Sequence, residues 1–179
     1  MRGSTTNEVF PEICSGQLGS VAAGSIALIP HHDGPFLTLI ADESAQQQLR
    51  SIVILNLKHA NYPSVVFHDN WENRDACLYY KTPLRFEMSN KVEDIGTNAT
   101  WWRNSGVIAS IQNEFFIRAL SVNGGGFTYV NIQSGRLFHG DLPNFFALFG
   151  VWSIWLRDPL GERSSPVFDF DVRQAAQKT

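Results

Sequence analysis

Apolar and polar residues alternate with a period of two through many short runs of this chain, and turn-forming residues close each run. Residues 21–29 alternate small and aliphatic side chains, and residues 36–41 form a second apolar run. Between them Pro30-His31-His32-Asp33-Gly34-Pro35 predicts a turn, because Asp-Gly and the two prolines cannot continue a strand or helix. The two runs therefore predict a hairpin. Ile52-Val53-Ile54-Leu55-Asn56-Leu57 is β-branched and nearly continuous, the pattern of a strand buried on both faces. Residues 65–67 and 76–80 predict weaker strands on either side of a polar loop, residues 68–75. Leu84-Arg85-Phe86-Glu87-Met88 alternates apolar with charged positions.

The second half repeats the pattern. Residues 107–111, 114–122 and 127–132 predict strands. Asn123-Gly124-Gly125-Gly126 joins the last two as a hairpin tip, since such a turn needs residues that accept positive φ. Ser134-Gly135 turns the chain into Arg136-Leu137-Phe138, and Asp141-Leu142-Pro143-Asn144 breaks it again. Residues 145–149 fit either a helical turn or a strand. Residues 151–157 place Trp152, Ile154 and Leu156 on one face. Residues 167–172 place Phe168, Phe170 and Val172 inward, with Asp169 and Asp171 outward. Only residues 42–50 read as a helix: Asp42 or Ser44 caps it, and Ala45, Gln46, Gln47, Gln48, Leu49 and Arg50 are adequate helix formers.

These elements predict an all-β or β-rich α+β fold, an antiparallel β-sandwich or barrel of roughly ten strands with one short helix near residues 42–50. No long helical pattern alternates with the strands, which argues against a doubly wound parallel sheet. A length of 179 residues suits a single domain over 1–179 that needs no metal or disulfide staple. The polar N-terminal segment 1–8 and the C-terminal tail 173–179 are expected to be flexible.

Composition narrows the function classes. The net charge is −3 and there is no Lys/Arg run, so no nucleic-acid partner is expected. The most apolar stretch, residues 145–156, is interrupted by Ser153 and closed by Arg157-Asp158-Pro159. It falls short of the roughly 20 apolar residues that a membrane-spanning helix needs. Residues 1–8 hold one positive charge and no apolar core, unlike a signal peptide, so a cytoplasmic protein is expected. Cys14 and Cys77 lie far apart without metal-ligand spacing, and both are expected as reduced thiols.

Of five histidines, three sit beside carboxylates, in His31-His32-Asp33, His68-Asp69 and His139-Gly140-Asp141. Two imidazoles and a carboxylate brought together at one rim would make a facial site for iron or a similar divalent metal. His31, His68, His139 and Asp141 are the candidate ligands, with Asp33 or Asp69 as the alternative carboxylate. His139-x-Asp141 has the local spacing of the oxygenase triad, but no later histidine completes it, and no His-x-His pair occurs. The plain alternative puts His31 and His32 in an exposed turn and His139 at a strand end. Nucleophilic chemistry has less support. There is no Gly-x-Ser-x-Gly elbow, Cys14 has no local basic partner, and Cys77 sits in a predicted strand. Asn123-Gly124-Gly125-Gly126 precedes a strand and not a helix, so it is no phosphate cradle and no organic cofactor is expected.

The aromatic residues, thirteen Phe, five Trp and four Tyr, form the most suggestive set. Trp71 stands alone among polar residues 68–75, and Trp101 and Trp102 lie between amides and Arg103. An indole flanked by such donors and acceptors suits a sugar ring or an aromatic compound. The same rings also serve as core packing or as an oligomer interface. The expected function is therefore non-catalytic binding of a carbohydrate or other small polar or aromatic ligand. Trp71, Trp101, Trp102 and Arg103 would form the site, in a protein able to pair as a homodimer. One alternative is a metal-dependent enzyme built on the histidines and aspartates. Another is a structural or protein-interaction domain that homo-oligomerises through its aromatic residues.

Overall fold

The computed structural model describes residues 13–43, 48–58, 64–81, 84–91, 95–96, 104–123, 126–138, 147–157 and 163–175. The first strands are β1 (Ile13–Gln17), β2 (Ile26–Ile29), β3 (Phe36–Glu43), β4 (Leu49–Ile54), β5 (Val66–Glu72), β6 (Ala76–Tyr80), β7 (Arg85–Met88) and β8 (Ile95–Gly96). They are followed by β9 (Ile108–Ile111), β10 (Glu114–Ser121), β11 (Phe127–Asn131), β12 (Leu137–Phe138), β13 (Ala147–Phe149), β14 (Val151–Arg157) and β15 (Arg163–Asp171). One helical turn, α1 (Val172–Ala175), ends the described chain.

Twelve strands form one large sheet along the path β1-β6-β2-β3-β4-β5-β10-β9-β13-β8, with β11 on β10 and β12 on β11. The second sheet has three strands in the order β15-β14-β7. The path of the large sheet is open at both ends, so the described strands close no barrel. Pairing is antiparallel except where β5 meets β10, in the parallel register Val66 to Leu120 and Phe67 to Ser121. The all-β expectation therefore holds, with one parallel join in a mainly antiparallel fold.

The hairpins follow the turn chemistry. Gly34, at φ 106°, lets the turn at 30–35 fold β2 back on β3, and Ile29 pairs with Phe36. β10 pairs with β11 across the glycine-rich tip, Leu120 opposite Phe127. β3 and β4 are apolar on both faces. Leu37, Leu39 and Val53 face one core, while Phe36, Ile40, Ile52 and Ile54 face another.

The first core lies between the two sheets and centres on Trp152, only 2% exposed. Its indole stacks on Phe170 at 5.1 Å and meets Phe86 at 5.7 Å and Phe168 at 5.6 Å. The indole N–H donates to the carbonyl oxygen of Gly106 at 2.7 Å, which ties the small sheet to the large one. Gly106 in turn donates its own N–H to the carbonyl of Arg118 on β10 at 2.7 Å.

A fork in the sheet forms beside this contact. β10 pairs with β11 on one edge; on its other edge β9 takes residues up to Ile117, and β5 begins at Leu120. Ser105 closes the gap: its hydroxyl donates to the carbonyl of Val65 and accepts from the N–H of Leu120 at 3.2 Å.

Two expectations are corrected. The helix expected over 42–50 is not formed at its ends, because Asp42 and Glu43 finish β3 while Leu49 and Arg50 begin β4. Residues 44–47 lie outside the described residues. Pairing of Glu43 with Arg50 shows that hairpin formation wins there over modest helix propensity. The polar loop expected over 68–75 is mostly strand: β5 continues to Glu72, because Trp71 and Glu72 pair with Arg50 and Leu49.

Gly106 adopts φ 87°, and a Cβ there would stand 2.4 Å from the Phe170 ring. Phe170 cannot yield, since it is buried against Trp152. Gly106→Ala should therefore lower unfolding free energy by about 2–4 kcal/mol, from backbone strain plus overpacking, read by urea denaturation. Ser105→Ala should cost about 1–3 kcal/mol by stranding Val65 C=O and Leu120 N–H.

Candidate functional site

Two cavities bring chemistry-bearing side chains together. The larger, about 710 Å³, opens between the sheets. Period-two alternation on β7 turns Phe86 and Met88 into it, and Ile26, Phe115 and Ile132 of the large sheet face them. Phe86 is held by its contact with Trp152, and Phe115 by an edge contact with Phe149 at 6.1 Å. The rim is polar, with Ser25, Tyr80, Lys81, Arg85 and Gln133.

That rim is braced by backbone. Gly24 sits at φ 81° so close to the carbonyl of Gln133 that a Cβ would lie 1.9 Å from it. The side-chain oxygen of Asn131 accepts from the N–H groups of Gln133 and Ser134, both at 2.9 Å. Burial pushes the Tyr80 phenol up, so it is a neutral hydroxyl donor at physiological pH. Arg85 lies 4.0 Å from Glu87, an exposed contact that leaves its guanidinium in water. An apolar floor with aromatic walls, one phenol and two cations at the mouth suits a small molecule with a flat apolar body and an anionic head.

The second cavity, about 640 Å³, is lined by the β2–β3 turn and by Asn56, Leu57 and Lys58. Asn56 clamps the turn: its amide donates to the carbonyl of Pro35 at 3.1 Å, and its oxygen accepts from Leu37 N–H at 2.8 Å. His31 stacks on Phe36 with ring centroids 4.2 Å apart, and His32 lies 4.0 Å from His31. Phe36 meets Trp71 edge-on at 6.1 Å, and Trp71 meets His68 at 5.3 Å. A register shift between β4 and β5 makes this row: Ile52 opposes His68 and Arg50 opposes Trp71, so residues three apart share a face.

The structure thus brings His31, His68 and Trp71 onto one surface, linked through Phe36. Among the described residues, the donors within 4.8 Å of one another are His31, His32 and Asp33; His68 does not join them. Trp71 lies on a strand and not in a loop, half-buried against the second core, with its buried indole N–H lacking a partner among the described residues. Trp101, Trp102, Arg103, His139 and Asp141 lie outside the described residues. Cys14 and Cys77 are both free, and burial pushes the Cys77 thiol up, away from reactive thiolate. No helix among the described residues is long and apolar enough to cross a membrane.

Sequence reasoning missed the cavity between the sheets. Its signal was the alternation of Leu84, Phe86 and Met88 close after Tyr80 and Lys81, which reads equally as an ordinary half-buried strand. Comparison of the chain with protein-family models, curated proteins and solved structures finds no match.

Burial lowers the His68 pKa below its ordinary 6.5, and nearby Asp69 only partly opposes this. The unfolded chain therefore takes up this proton first as pH falls. Stability tied to neutral His68 is complete above about pH 6.5 and is lost progressively as pH drops through the folded-state midpoint. An NMR titration of the imidazole should place that midpoint below 6.5, and Asp69→Asn should move it lower still.

Proposed function

We propose that this chain is a non-catalytic binding protein for a small aromatic or otherwise flat apolar carboxylate, held in the cavity between the two sheets. The observation that supports the reading is the combination within one cavity of about 710 Å³ of Phe86, Phe115 and Met88 with Tyr80, Lys81 and Arg85 at its mouth. The ring of such a ligand would replace water against the apolar floor, and its carboxylate would stay near the rim with the cations and the phenol. Sugar binding on loop tryptophans is the weaker form of the reading, because the Trp71 ring is packed against the second core. Two free cysteines fit a reducing compartment such as the cytoplasm. Pairing of two copies is supported by Ile13 and Leu78, 45% and 43% exposed on neighbouring strands.

A thermal-shift comparison of aromatic carboxylates, aliphatic carboxylates, aromatic amines and sugars tests this. A carboxylate at a hundred times its dissociation constant should stabilise by about 2.7 kcal/mol, and each kcal/mol moves the midpoint by roughly 2–4 °C. Arg85→Ala or Lys81→Ala should weaken the hit about tenfold, which is about 1.4 kcal/mol. If no carboxylate shifts the midpoint, or if both substitutions leave its affinity unchanged, the reading fails.

A further inference from the structure

We infer that His31, His32 and Asp33 form a binding site for a divalent first-row transition ion, with zinc the best-fitting common member of that class. The site is separate from the cavity between the sheets.

The geometry comes first. Donors on one zinc at about 2.1 Å stand roughly 3.0 Å apart in an octahedral set and roughly 3.4 Å apart in a tetrahedral one. Asp33 Oδ2 lies 3.0 Å from His32 Nε2 and 3.8 Å from His31 Nδ1. All three donors fall within 4.8 Å of one another, so side-chain movements on the order of an ångström would bring them onto one ion.

At His31 the hydrogen bonding also fits. His31 Nδ1 accepts from the backbone N–H of Asp33 at 3.3 Å, so this nitrogen holds the lone pair that a metal requires. That contact is long and would be given up to the ion.

The site is held before any ion arrives. His31 is stacked on Phe36, and Phe36 is 92% removed from solvent, with 8% exposed. Asn56 fixes the turn through Pro35 and Leu37. His32 and Asp33 are exposed, which leaves them free to adjust.

The cavity of about 640 Å³ is lined by all three donors. It leaves room for water or an added ligand in the remaining coordination positions. Two imidazoles with one carboxylate select borderline ions over magnesium or calcium, which prefer all-oxygen sets.

The test uses the full-length chain without an affinity tag. Titration with zinc chloride should show one saturable site per chain, reversed by chelator, that excess magnesium or calcium does not displace. Cobalt as a paramagnetic probe should broaden the imidazole resonances of His31 and His32 before those of His68. His32→Ala and Asp33→Asn should each weaken zinc binding at least tenfold while leaving the metal-free thermal midpoint unchanged. His31 is left intact because its stacking on Phe36 supports the turn. Zinc binding that survives both substitutions would overturn the assignment. So would the absence of a saturable site, or broadening that starts at His68.

Discussion

The dipeptide Ser105-Gly106 ties three parts of the molecule together through buried polar groups. Its serine hydroxyl bridges β5 and β10 where the large sheet forks, and its glycine carbonyl takes the indole N–H of Trp152 from the small sheet. Each of these groups is buried, so each must be paired within the protein, and no water can substitute cheaply. The position of the small sheet over the large one follows from this. So does the position of β7, which pairs with β14 through Trp152 opposite Met88, and hence the gap that Phe86 and Met88 line.

Much of this architecture was legible from local pattern. The alternation over residues 151–157 and 167–172 places Trp152, Ile154, Phe170 and Val172 in the core, where they are found. The turn at 30–35 lies where Asp-Gly puts it, and β10 and β11, on either side of Asn-Gly, pair with each other as expected. What was illegible depends on partners distant in the chain. β1, Ile-Cys-Ser-Gly-Gln, has no clean alternation and becomes a strand because β6 accepts it. His68 and Trp71 do not look like one face until the register shift against β4 is known. Nothing local in Ser105-Gly106 reveals that its polar atoms serve three other segments.

The same distinction separates the two cavities. The histidine turn is a local object: its donors are consecutive, yet the pattern of His–carboxylate pairs led instead to His31 with the distant His68 and His139, and left His32 out. The cavity between the sheets is a long-range object, assembled from β2, β6, β7 and β10 and the turn after β11. Its residues are unremarkable singly. Only the packing of β7 across the large sheet turns an alternating strand into the wall of a binding cavity.

The parallel contact between β5 and β10 has a kinetic side. A hairpin cannot make it, so the chain between Val66 and Leu120 must first be looped out, and its entropy surrendered, before Leu120 meets Val66. Chain segments such as β2–β3 and β10–β11 are joined by short turns and can form early on their own. The Ser105 bridge has to wait for β5 and β10 to arrive together, and Trp152 docks on a carbonyl that this arrival positions. This encounter joins other distant pairings, such as β1 with β6 and β7 with β14, in making folding slow relative to a hairpin array of the same size, and it leaves the facing edges of β5 and β10 unpaired until late. In the cell, that interval would be the most vulnerable to pairing with the wrong chain.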